Sequence, residues 1–382
     1  MIGGMETTGG AERRRRAWRG AARVLGPVPE TIGERLARLA EGAGEAAGRI
    51  TDFYGDGVVA EVEEKVAELL GTEAAAFFPT GTMAQQAALR CWAGRTGNEV
   101  VAHHPLAHPE VHEDDALRAL TRLRTVRPTT EPRLPSAEEV RAVPEPFGTL
   151  MVELPLRDAG FALPSWEELT ATVEAARERD AVVHFDGARL WECAPHFGRT
   201  LPEVAGLADS VYVSFYKSLR GMSGAALAGP AAFVEEAVVW RHRYGGQVFQ
   251  QWPAALDALA GLRDELPRLP GYVAHAKVVA RALDTALAEA GEPWFRVHPY
   301  PPHTHQFQVW LPYPAELLTE AAVRQAERTG TALFRTWSAP GAAPGVAMSE
   351  VTVSGPGHLG WTPEVVREAV GDFLALVRDL AG

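Results

Sequence analysis

The chain is nearly without lysine. Of its 37 basic residues only Lys65, Lys217 and Lys277 are lysines; the other 34 are arginines. Cysteine is as scarce, with Cys91 and Cys193 the only two in 382 residues. That excludes a disulfide-built scaffold, and neither cysteine has the paired spacing of a metal site. No apolar run reaches the roughly eighteen residues of a membrane-spanning helix. A net charge of −12 lacks the basic excess of a nucleic-acid footprint. The run Arg13 to Arg16 is followed by no apolar core, so it does not read as a secretory signal. A solvated helix face or a loose tail is expected there, and the cytoplasm is the expected home.

What is present is sharper. Lys65 falls in EVEEKVAELL and Lys277 in AHAKVVARAL, both amphipathic helix patterns in which the lysine is a surface charge. Lys217 falls in SVYVSFYKSLRG, where an apolar strand pattern stops and small residues begin. An amine can lose its proton and attack a carbonyl, which a guanidinium effectively cannot do. A chain that uses arginine for plain positive charge keeps a lysine here for chemistry.

Short apolar runs alternate with helix patterns from about residue 30 to 250. EAAAFFPTGTMAQQAALRCWA reads strand, turn, helix; GTLMVELPL, AVVHFDGARL and ADSVYVSFYK read as strands; SWEELTATVEAARERD is a helix capped at Ser165. The expectation is an α/β domain with a mainly parallel sheet flanked by helices, over 31–254. Residues 1–30 read as a polar, Arg-rich extension. Residues 255–382 read as a small α+β domain with strands at HTHQFQVWLP, TALFRTW and SEVTVSG, the histidines of the first lying on a strand surface.

Three strand ends carry reactive groups. TGTMA puts backbone N–H groups and a hydroxyl at a helix start, which suits a phosphate. HFDGARL supplies Asp186 and Arg189, and YVSFYKSLRG supplies Lys217. Together they match the needs of pyridoxal 5'-phosphate: an amine for the aldehyde, a carboxylate for the ring nitrogen and a helix end for the phosphate.

The order YGDG, FFPTGTMAQQ, a His-rich segment, HFDGAR, SFYKSL and GGQVFQQ resembles the threonine aldolase and β-eliminating lyase group of fold-type-I pyridoxal-phosphate enzymes. The resemblance covers about residues 50 to 255 well. It implies that Gly81, Thr82 and Met83 bind phosphate, that His108 stacks on the ring, and that Asp186 pairs with the ring nitrogen. It implies that Lys217 carries the Schiff base, that Ser214 belongs to the cofactor-binding set, and that Arg189 meets the substrate carboxylate or ring oxygen. Gly245 and Gly246 would approach a neighbouring subunit's phosphate, in a homodimer or homotetramer with sites at the interface.

Departures from that pattern are as informative. The family's C-terminal arginine would fall near SEVTVSG, which has none; Tyr216 stands where serine is common, and Leu154 where asparagine is. Arg157 and Arg335 are the candidate replacements for the carboxylate clamp. His104, His108 and His112 recur every fourth residue, which on a helix would share a face and, with Glu113, could hold zinc. Pro105 and Pro109 argue against that helix, so His108 reads as the stacking group and His112 as a base, with no metal expected. The expected reaction is retro-aldol cleavage of a β-hydroxy-α-amino acid to glycine and an aldehyde. Open alternatives are β-elimination or other chemistry at the amino-acid α-carbon, a metal-dependent hydrolase, and a non-catalytic protein that kept the fold.

Overall fold

Parallel strands buried on both faces need near-continuous apolar runs, and the centres of TLMVE and SVYVS supply them between polar ends. The structure is a computed structural model that describes residues 8–340 and 345–382. Its strands are, in chain order, β1 (Arg23–Val24), β2 (Ala74–Phe78), β3 (Val100–Ala102), β4 (Arg124–Val126), β5 (Thr149–Glu153), β6 (Val182–Gly187), β7 (Ser210–Ser214), β8 (Ala225–Gly229), β9 (Arg296–His298), β10 (Gln306–Leu311), β11 (Thr331–Ala332) and β12 (Ala347–Thr352). The chain divides into two units: Gly33–Arg268, and the residues up to Ile32 together with Leu269–Gly382.

The first unit holds one seven-stranded sheet in the order β2-β8-β7-β6-β5-β3-β4. Every pairing from β7 to β4 is parallel, and β8 alone runs against its neighbours β2 and β7. Parallel neighbours need a crossover, whereas antiparallel neighbours do not. The link from β7 to β8 is therefore only a loop, residues 215–224, and Lys217 lies in it. The register sets Glu153 opposite Asp186 and Asp186 opposite Tyr212. The helix Trp166–Arg177 starts on the expected cap, with Ser165 and Glu168 each bonding the other's backbone N–H.

This unit extends to Arg268, past the boundary at 254 that the sequence suggested. The helix Trp252–Asp264 stays with it because buried Asp257 holds Arg35 at 2.9 Å and Arg38 at 2.8 Å. Gly261 of the same helix abuts the Leu219 carbonyl, which a Cβ there would meet at 2.5 Å.

In the second unit β9, β10 and β12 form an antiparallel sheet, with Phe307 and Val309 of β10 facing a core that includes Leu283, Phe334 and Phe373. The expected N-terminal extension belongs here. Its helix Thr8–Gly20 packs Ala17 and Trp18 on Val323 and Ala326, and Arg13 pairs with Glu320 at 2.9 Å and Glu327 at 2.7 Å. His305 is buried just ahead of β10 and His303 is half-buried, so neither is the strand-surface residue expected. The TALFRTW segment contributes only the two residues of β11, paired with β1.

His184 of β6 is fully buried between Ser210 Oγ and Gln85 Oε1, each 2.7 Å away. Burial pushes its pKa down from 6.5 to about 3, so the fold holds it neutral. The unfolded chain takes up that proton near pH 6.5 and the folded chain does not, so this term weakens the fold as pH falls through that window. His184→Gln should flatten the acid limb of stability between those values by at most about 1.4 kcal/mol per pH unit, measured by urea unfolding across pH. An unchanged slope would show that His184 is protonated in the fold.

Candidate active site

In a parallel sheet the strands' carboxyl ends share one edge, where ligands bind. β2, β3, β5, β6 and β7 end there, and each hands over to a segment with polar groups: Gly81–Met83, His103–His108, Glu153, Asp186 and Lys217. Asp186 is buried, and its Oδ1 accepts the Ala188 N–H at 3.2 Å. Burial raises its pKa, while the charges of Lys217 and His108 pull it down. Lys217 is lowered to about 8, by burial first and then by Arg189, with Arg157 adding to it and Asp186 and Glu153 opposing. The amine thus stands among two carboxylates and two guanidiniums, and a usable fraction is uncharged near neutrality.

Glu153 is the anchor of the next layer. Its Oε2 accepts the His108 N–H at 2.7 Å and its Oε1 the Arg157 N–H at 3.1 Å. Burial and the like charge of Asp186 push its pKa up to about 7. His108 Nδ1 lies 3.3 Å from Glu113 Oε1, and Gln86 Nε2 donates to the other Glu113 oxygen at 3.2 Å. His112 lies beside His108 with ring centroids 5.2 Å apart, and its Nε2 is 2.8 Å from Asp158 Oδ2. The helix at His108 spans only His108–Val111, so His104 does not share its face; His104 Nε2 meets the Glu131 carbonyl at 2.6 Å.

The helix Gly81–Thr96 opens behind Thr80, whose hydroxyl accepts the Met83 N–H at 3.3 Å. The first turn leaves the N–H groups of Gly81 and Thr82 outside the helical ladder. A Cβ on Gly81 would meet the Tyr212 hydroxyl at 2.0 Å, so only glycine fits. A Cβ on Gly246 would meet Met83 Sδ at 2.2 Å, which sets Gly246 against the cradle of its own chain; Gly245 beside it is exposed with φ +76°. Ser214 is buried and donates to the Ala188 carbonyl at 2.8 Å, tying β7 to the turn after Asp186. Arg189 lies over the Phe161 ring at 5.3 Å, and its buried Nε has no hydrogen-bond partner among the described residues.

Of the two candidate clamps, Arg157 acts on Lys217, whereas Arg335 stacks over Trp18 at 5.2 Å within the second unit. Glu153, Asp158 and Tyr212 were not singled out as site residues in the sequence, and Glu113 was weighed there only as a possible metal ligand, not as the partner of His108. Glu153 alone left a signal there, a carboxylate ending an apolar run.

The profile of the beta-eliminating lyase family matches residues 46–293. The chain belongs to that family. A proposed L-allo-threonine aldolase from Listeria monocytogenes EGD-E superposes with a TM-score of 0.85 at 32% identity, covering 97% of this chain and 99% of that one. The low specificity L-threonine aldolase of Escherichia coli K12 is 29% identical over 245 residues, 62% of this chain and 73% of the relative. Low-specificity L-threonine aldolase 1 of Arabidopsis thaliana is 26% identical over 239 residues, 60% of this chain and 66% of the relative. The matched stretch is thus about two thirds of the length of these curated relatives. The fold is of fold type I, as expected from the sequence.

The family's cofactor, pyridoxal phosphate, fits these residues. Gly81, where a Cβ would strike the Tyr212 ring, opens the helix start; Asp186 is a buried carboxylate; the Arg189 Nε is a buried donor lacking an acceptor among the described residues. The lowered Lys217 should show in its reactivity. Capture of pyridoxal phosphate by the apoprotein, followed by absorbance, should rise with pH through a midpoint near 8. Arg189→Ala removes a positive charge and should move that midpoint upward. A midpoint near 10.5, the ordinary lysine value, would refute the account of its surroundings.

Proposed function

We propose that this family member is a pyridoxal-phosphate-dependent aldehyde-lyase that cleaves a β-hydroxy-α-amino acid to glycine and an aldehyde. The observation that carries the reading is the convergence of Lys217, Asp186 and the Gly81–Met83 helix start on one sheet edge. The relatives named as threonine aldolases select the reaction.

When bound, the cofactor supplies a carbonyl for amines and a ring that accepts the electron pair freed at the α-carbon. The protein does the rest. Lys217, with its depressed pKa, offers an uncharged amine to hold the cofactor and yields it to the substrate amine. Asp186 would keep a proton on the ring nitrogen, and His108, braced by Glu153 and Glu113, would hold the ring. The N–H groups of Gly81 and Thr82, with Met83 beside them, would receive the phosphate, and Gly245 and Gly246 would approach a neighbouring subunit's phosphate. Arg189 and Arg157 take the substrate carboxylate, because a planar guanidinium matches its two oxygens. His112 accepts the β-hydroxyl proton. The resemblance extends this reading to a cytoplasmic homodimer or homotetramer.

The test is turnover of a panel of β-hydroxy-α-amino acids with glycine and aldehyde as products. Ammonia and an α-keto acid instead would establish β-elimination. Borohydride reduction and peptide mapping should label Lys217, and Lys217→Ala should lose both label and turnover while keeping the fold. A label on Lys65 or Lys277 would sink the assignment. Arg189→Ala should abolish productive binding, and Arg157→Ala should raise KM at least about tenfold, about 1.4 kcal/mol of lost binding. Arg335→Ala with the larger effect would return the clamp to the second unit.

A further inference from the structure

Beyond β5 lies a second carboxylate–imidazole pair. Asp158 Oδ2 is 2.8 Å from His112 Nε2, and Arg157 Nη1 is 3.4 Å from Asp158 Oδ1 and 3.2 Å from His112 Nε2. A guanidinium cannot accept a hydrogen bond and a carboxylate cannot donate one. The shortest contact runs from Nε2 to the carboxylate, so Nε2 carries the proton and donates to Asp158, and Arg157 donates to the other oxygen. The Nδ1 lone pair is then the basic one. His108 is held differently: its Nδ1 faces Glu113 and its backbone N–H is bound by Glu153. The two rings are inclined by 46°, so His112 does not repeat the covering role of His108.

We infer that Asp158 is a positioning residue for the cleavage step, setting the tautomer and heading of His112 so that Nδ1 receives the substrate's β-hydroxyl proton. This rests on the reading of His112 as the base. In the step the O–H bond breaks and an N–H bond forms at Nδ1. The oxygen's electron pair becomes the second C–O bond of the aldehyde, and the Cα–Cβ bond breaks with its pair left on the α-carbon side. A proton returned to Cα completes glycine. The imidazolium formed lies against Asp158, which favours it; Arg157 opposes it, and Glu113 faces the neighbouring His108 rather than His112.

Asp158→Asn keeps the shape and removes the charge. In the full-length, cofactor-loaded enzyme, kcat for cleavage should fall about tenfold or more while KM changes less than about threefold. Nitrogen-15 spectra of the labelled imidazoles, with His112 assigned through His112→Ala, should show the Nε2-protonated form in the wild type and a mixture in Asp158→Asn. Exchange of the glycine α-proton in heavy water breaks no Cα–Cβ bond and needs no β-hydroxyl base, so it should keep its wild-type rate. Parallel loss of glycine exchange and cleavage would assign Asp158 to cofactor or fold and overturn the inference. If His112→Ala is slow but Asp158→Asn is not, the inference alone falls. If His112→Ala cleaves at the wild-type rate, the base reading falls with it.

Discussion

One amine held out of water among two carboxylates and two guanidiniums governs this site. Burial and Arg189 drive Lys217 toward the neutral form, and Asp186 and Glu153 draw it back. Without the guanidiniums burial alone would oppose the two carboxylates, and without the carboxylates nothing nearby would draw the amine back toward its charged form. The balance depends on where strands end. Glu153 and Asp186 are register partners on β5 and β6, so their separation is fixed by the hydrogen-bonded ladder rather than by flexible side chains.

The supporting layer is built from groups that each perform two tasks. Glu153 fastens the backbone of both His108 and Arg157, so the histidine proposed to cover the ring and the arginine proposed as clamp share one anchor. Tyr212 fills the space that a side chain at residue 81 would take, and it is the register partner of Asp186. Ser218, next to the amine, donates to buried Glu192. A buried carboxylate and its donors are costly to disturb, because each lost bond strands a polar group away from water.

Much of this was legible in the residues. Lys217 stood out because arginine serves elsewhere, and Asp186 because it closes an apolar run before Gly187. Strand and helix order followed from periodicity, and the cap at Ser165 from its glutamate three residues on. Harder to read were contacts that join distant segments. Asp158 meets His112 only because β3 and β5 are adjacent, and nothing in RDAG marks that meeting. Tyr212 was hidden in an apolar run as one more strand residue. The unit boundary was misplaced because the tie from Asp257 to Arg35 and Arg38 spans most of a domain, where composition changes earlier. Nothing in TALFRTW marks the stacking of Arg335 on Trp18, which needed the fold of the N-terminal helix.

The close approach of Gly261 to the Leu219 carbonyl bears on how the lysine behaves between turnovers. With Leu219 backed by a helix and Ser218 bound to Glu192, the two residues after Lys217 are tied down, so in the proposed cofactor-bearing role the freedom at this position belongs to the side chain. Only the four-carbon stem regains freedom, about 2 kcal/mol of rotamer entropy for a lysine. In that proposed role, a released amine would stay tethered within reach at a high effective concentration. Recapture after product departure is then a rotation of single bonds rather than a search by the backbone.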